Sequence, residues 1–124
     1  MADLRIRVAD RECTAEWVED NPNTQKAIEA ALPLAGDGRK WGEELYFRTE
    51  VDVEAENTQT EVPVGAVAYW PGGNAICLFW GPTPASRGDE PRAAAPVSVV
   101  ARITDTAALA ATAADGAQLR LELA

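Results

Sequence analysis

The chain has 124 residues, 47% of them hydrophobic and 25% charged, the composition of one ordinary globular domain. Twenty acidic residues outweigh eleven basic ones, histidine is absent, and the net charge is −9. These totals exclude a histidine-ligated metal site and the usual Ser-His or Cys-His nucleophile. They also speak against nucleic acid or an anionic membrane as partner, because both require a basic face.

No segment reaches the ~18 consecutive apolar residues of a membrane helix. Met1 to Arg5 lead straight into a strand pattern without the basic and apolar regions of a signal peptide, so a cytoplasmic location is expected. Lysine occurs only at Lys26 and Lys40, and every other cation is arginine. High acid, scarce lysine and abundant alanine suggest adaptation to a salt-rich cytoplasm, where a Debye length of about 3 Å at 1 M salt screens self-repulsion.

In chain order, Leu4, Ile6 and Val8 alternate with Arg5 and Arg7 in a half-buried strand over 3–9. Cys13, Ala15 and Trp17 repeat the pattern over 12–18, and a tight turn at Asp10-Arg11 makes the two a hairpin. Asn21 is a suitable N-cap with Pro22 at the first helical position; Ala27, Ile28, Ala31 and Leu32 share a helix face that Pro33 ends. Gly36-Asp37-Gly38 reads as a loop. After Trp41-Gly42, a strand points Leu45, Phe47, Thr49 and Val51 one way and Glu44, Tyr46, Arg48 and Glu50 the other, with a continuation or bend through Val51 to Glu56.

A long β-pattern runs from Val62 to Trp70, with Pro63 and Gly65 marking an edge or bulge. Pro71-Gly72-Gly73-Asn74 is a turn, and Ala75 to Trp80 is apolar on both faces, as in a strand buried on both sides. Gly81 to Pro84 breaks it, and residues 85–95 read as a loop. Val97 to Ile103 form the next strand, Asp105 caps a helix over Thr106 to Ala114, and Leu119, Leu121 and Leu123 alternate to the end. Cys13 and Cys77 read as buried free thiols. About eight strands and two short helices result, and closing them into a β-barrel would remove exposed edges.

Two segments carry a family resemblance: Trp41-Gly42-Glu43-Glu44-Leu45-Tyr46-Phe47, and the run from Gly65 through Tyr69-Trp70-Pro71-Gly72-Gly73-Asn74-Ala75-Ile76-Cys77-Leu78-Phe79-Trp80 to Gly81-Pro82-Thr83-Pro84. With Pro96-Val97-Ser98-Val99, they resemble the small prokaryotic cyclophilin-like domain family across nearly the whole chain. The resemblance implies a single domain over residues 1–124, mainly β, with a closed eight-stranded cyclophilin-like barrel and one or two short helices. True cyclophilins are peptidyl-prolyl isomerases with a Phe-His-Arg strand motif. The nearest fragment here is Phe47-Arg48, so no catalytic residues carry over.

Candidate binding residues follow. Tyr69, Trp70, Pro71, Phe79 and Trp80 concentrate aromatic mass around one hairpin and either line an apolar groove or fill the barrel. Glu43 and Glu44 point to opposite faces of a strand, so at least one is a surface group; Glu43, beside Trp41-Gly42, is the more interesting. Arg48 could reach a ligand carboxylate or prolyl nitrogen, and Arg92 the same mouth. Pro82 and Thr83 form a stiff wall. Gly72-Gly73 joins strands rather than opening a helix, so it is no phosphate loop, and nothing calls for a cofactor. The expected function is binding of a proline-containing peptide or small molecule, with a divergent peptidyl-prolyl isomerase as the alternative.

Overall fold

The structure, a computed structural model, describes residues 2–124. The N-terminal alternation forms β1 (Leu4–Val8) and β2 (Arg11–Trp17), paired with Val8 opposite Arg11. Helix α1 (Pro22–Ala31) begins on Pro22 and buries Thr24 and Ile28. Asn21 holds the N-cap position, yet its side chain is used elsewhere. Its Nδ2 donates to the Val99 carbonyl at 2.8 Å and its Oδ1 accepts from the Asn57 amide at 2.7 Å. Glu56 satisfies the helix start instead, accepting from the Thr24 amide and hydroxyl at 3.1 Å each.

The chain continues through β3 (Leu34–Asp37), β4 (Arg39–Lys40), β5 (Glu44–Arg48), β6 (Gln59–Glu61), β7 (Ala66–Trp70), β8 (Ala75–Phe79), β9 (Arg92–Ile103), α2 (Thr106–Thr112) and β10 (Gln118–Leu123). Asp105 caps α2 by accepting from the Ala107 amide. The strands form one ten-stranded sheet in the order β3-β10-β1-β2-β9-β7-β8-β5-β4, with β6 attached to β9.

Three expectations are corrected here. There are ten strands rather than about eight, because the chain on either side of Gly38, in and around the expected Gly36-Asp37-Gly38 loop, contributes β3 and β4, and β6 precedes the expected strand at Val62. Strand β9 begins at Arg92, inside the presumed loop, because β6 pairs with its first half from Val97 back to Arg92. Finally, the hydrogen-bonded ladder is a path with two ends, not the closed ring expected. Those ends are β3 and β4, which follow one another through Gly38. The first pairs with β10 and the second with β5, so one extended segment lies along both edges of the sheet. Gly38 is tied there by its amide to the Ala117 carbonyl and by its carbonyl from the Gly116 amide, both at 2.7 Å.

Strands β7 and β8 separate two apolar layers. Val67, Tyr69, Ile76 and Leu78 join the larger core with β1, β2, β10, Phe47 of β5, and Ile28 of α1. Ala66, Ala68, Cys77 and Phe79 face a smaller cluster with Val62, Ala93, Val97 and Val99. The all-apolar character of β8 reflects this burial on both faces.

The turn before β5 is locked onto the segment after β8. The Glu43 amide donates to the Pro82 carbonyl and the Trp80 amide to the Glu43 carbonyl, each at 3.0 Å. Gly42, at φ 62, has room only for hydrogen: a Cβ there would meet Thr83 Cα at 2.7 Å and Pro84 Cδ at 2.8 Å. Left-handed strain and overpacking against backbone together predict that Gly42→Ala lowers unfolding free energy by roughly 2–4 kcal/mol. Urea denaturation measures it, and a loss within a few tenths of a kcal/mol would contradict the locked turn.

Candidate functional site

The smaller cluster opens into a cavity of about 240 Å³. Strand register builds its floor. Tyr46 of β5 lies opposite Cys77 of β8, and Glu44 lies opposite Phe79, which makes Glu44 and Cys77 diagonal neighbours on one face. Trp41 enters from the turn before β5, Trp70 from the end of β7, and Ala93, Ala94, Ala95 and Val97 of β9 complete the wall. Tyr46 and Trp70 meet edge to face, with ring centroids 6.4 Å apart and planes at 87°. Gly73 permits this placement of Trp70, because a Cβ at residue 73 would come within 2.5 Å of the indole.

Glu44 is the chemical centre of the cavity. Its side chain is almost wholly buried, at 5% exposure. Desolvation raises its pKa to about 7, partly offset by a hydrogen bond from the Cys77 thiol. Burial also pushes the Cys77 thiol well up, and the facing Glu44 charge adds to that. Cys77 is thus a protonated donor to the carboxylate rather than a thiolate. No lysine or arginine lines the cavity among the described residues. A carboxyl group that titrates near neutrality in an apolar recess can accept, hold or return a proton, or can receive a cation.

The residues expected from the sequence divide. Trp70 lines the cavity. Tyr69 is fully buried in the larger core, where its hydroxyl donates to the Val51 carbonyl at 2.7 Å and accepts from Asn74. Phe79 is also fully buried, in the smaller cluster. Trp80 packs against the larger core. Pro71 is half-buried in the turn and Pro82 is exposed. Glu43 is exposed, its carboxylate lying where a Gly81 side chain would be. Arg48 is exposed at the far end of β5, where it lines a shallow surface depression with Asp37, Arg39, Tyr46 and Phe47 and is not among the residues that line the cavity.

Thr83 and Arg92 act on the wall from behind. Thr83 is buried, and its hydroxyl donates to the Arg92 carbonyl at 2.5 Å, pinning the segment after β8 to the start of β9. The Arg92 guanidinium pairs with Glu90 at 3.0 Å and Glu61 at 3.1 Å.

Trp41, Glu44, Tyr46 and Cys77 were the members that sequence reasoning did not assemble. One signal was available. Glu44 and Tyr46 share a face of a strand flanked by family-specific segments, and β8 has no polar face on which a covering layer could be absent.

The fold and cavity define a small, mainly β protein with a carboxylate-bearing apolar recess. The chain belongs to the cyclophilin-like family, whose model matches residues 2–122. It is similar to the hypothetical protein AF2241 from Archaeoglobus fulgidus, known from a solution structure. The two share 42% identity and superpose with a TM-score of 0.80, over 99% of this chain and 95% of that one. It also resembles in fold the structure of McbB in complex with tryptophan, at 16% identity and a TM-score of 0.74, over 96% of this chain and 44% of that one. No curated protein matches the sequence. No helix among the described residues is long and apolar enough to cross a membrane.

The raised pKa makes stability depend on pH. From about pH 4.5 to about 7 the folded protein keeps a proton on Glu44 that the unfolded chain has released. The contribution is therefore fully present below about 4.5, declines as pH rises, and is gone above about 7. A change of about 3 kcal/mol is involved. The unfolding free energy of Glu44→Gln relative to wild type is expected to rise by about that amount between pH 4.5 and 8. Parallel denaturation curves check it, and a difference constant with pH would contradict the buried carboxyl.

Proposed function

We propose that this protein is a binding module for a small molecule, received in the recess between Trp41, Tyr46 and Trp70 with Glu44 as its polar contact. The carrying observation is the coincidence of three aromatic side chains with one buried carboxyl group in a cavity otherwise walled by alanine, valine and the Cys77 thiol. Aromatic and aliphatic walls favour desolvation of an apolar body, and a single polar group orients it. A cavity of about 240 Å³ suits one substituted ring; an apolar cavity of about 150 Å³ already holds benzene. The same recess could take one ring-bearing side chain of a peptide.

Of the candidates read from the sequence, Trp70 serves in this reading as a direct contact. Thr83, Pro82 and Glu43 hold the turn and wall in place, and Tyr69, Pro71 and Phe79 support the hairpin beneath. The isomerase alternative depended on an arginine beside the aromatics. Arg48 is exposed beyond Tyr46 and does not line the cavity, and Arg92 is engaged by two carboxylates, so the geometry favours binding over isomerisation. The acidic surface and the lack of a basic cavity fit a cytoplasmic, salt-adapted protein that contacts neither nucleic acid nor membrane.

2-Phenylethanol is a suitable neutral probe. In a ¹⁵N-edited NMR titration it is expected to shift the indole N–H signals of Trp41 and Trp70 and leave that of Trp17 unmoved. Trp70→Ala should weaken binding at least about tenfold, the loss expected when one aromatic wall is removed. Shifts spread evenly over the tryptophans, or an unchanged affinity in the variant, would refute the site.

A further inference from the structure

The recess has a sign as well as a shape. Glu44 is 5% exposed and its hydrogen-bonding neighbour is a thiol, a weak donor. The walls carry no counter-charge of their own, so an ionised Glu44 is left as a buried anion whose partner must come from outside. The three rings beside it act in the same sense. The faces of tryptophan and tyrosine are electron-rich, and they attract cations most strongly where water is excluded. An anionic ligand would meet a carboxylate and the field of a chain with net charge −9. A neutral ligand would leave the carboxylate either unpaired or protonated.

Resting on the small-molecule reading above, we infer that the ligand is a protonated amine carried on a short arm from a flat apolar ring. Its ammonium group pairs with Glu44 and its ring lies among Trp41, Tyr46 and Trp70. The salt bridge replaces the solvation that Glu44 lacks, and the ring covers it from water, so each contact strengthens the other. Ammonium N–H groups and the Cys77 thiol can donate to different lone pairs of the same carboxylate, and the thiol need not be displaced.

The groups around Glu44 leave the titration to this one carboxyl. Cys77 faces it from β8 and is held protonated by burial. Tyr46 on its own strand lines the cavity, while Trp41 and Trp70 from the turn and from β7 are uncharged. Strand β9 presents Ala93, Ala94, Ala95 and Val97, and its charged residue Arg92 is held by Glu61 and Glu90. Glu43 is exposed beside Gly81. Binding of the amine should accordingly follow ionisation of Glu44.

The test compares three probes of one size: phenethylamine, 2-phenylethanol and phenylacetate. Each is titrated by NMR on the wild-type protein and on Glu44→Gln, at about pH 5.5 and about pH 8.5. On wild type, phenethylamine is expected to bind roughly thirtyfold more tightly at the higher pH, the ratio of ionised fractions for a group titrating near 7. Phenylacetate should bind least. In Glu44→Gln, the pH dependence and the preference for the amine should vanish. Equal binding of amine and alcohol to wild type at both pH values would overturn the cation assignment and leave the binding pocket standing. If no probe shifts Trp41 or Trp70, the pocket reading fails and this inference fails with it. The wild-type arm decides the matter even if Glu44→Gln does not fold.

Discussion

The Glu44 carboxyl group sits among tryptophan, tyrosine, alanine and valine side chains, with a thiol as its hydrogen-bonding neighbour. An isolated ionised carboxylate in such surroundings is costly, and the group responds by holding its proton up to about pH 7. The rest of the site depends on this constraint. It adds to the burial that keeps the Cys77 thiol protonated, and it gives an otherwise apolar cavity one directional contact. The surrounding structure must resist the collapse or hydration that would relieve it.

That resistance comes from the way distant segments are tied together. The turn at Trp41–Glu43 is bonded to the chain after β8, and Gly42 allows backbone to approach backbone there. Thr83 then fastens the same segment to the start of β9, whose next residues are the alanine wall. Behind the wall, Arg92 is clamped by Glu61 and Glu90, and Glu90 also accepts from the Arg87 and Gly88 amides, which holds its pKa down at about 2. On the opposite side of β7 and β8, the larger core fixes Tyr69 and Ile76, and so the strand from which Cys77 projects. Fold and site are thus separable in kind. The family's sheet supplies the frame, and function is argued from the recess alone.

How much of this could be read from the sequence follows from the range of the forces involved. Strands β1, β2 and β10 announce themselves by alternation over five to seven residues. The turn at Pro71–Asn74 is written in its glycines, and the two apolar faces of β8 imply two cores. By contrast, β3, β4 and β6 are four, two and three residues long, too short for a periodic signal. They exist because β10, β5 and β9 offer them partners. The expected closure failed for the same reason: local pattern cannot say whether edge strands hydrogen-bond to one another or are merely joined through Gly38. Asn21 shows the limit at a single residue, since a good capping side chain is drawn away by Val99 and Asn57.

The site obeys the same logic. Alternation correctly sent Glu44 and Glu43 to opposite faces. It could not tell which face would be covered, because the cover is supplied by Ala93–Val97, far along the chain. Tyr69 and Phe79 were legible as aromatic mass, with groove and core both open, and the structure places both in the core. The central claim is most directly tested by following the side-chain carboxyl ¹³C signal of Glu44 through a pH titration of the unliganded protein. A midpoint near 7 is what the buried, cation-free carboxyl predicts. A midpoint near the ordinary glutamate value of about 4.3 would show the group to be solvated or paired, and would contradict the account.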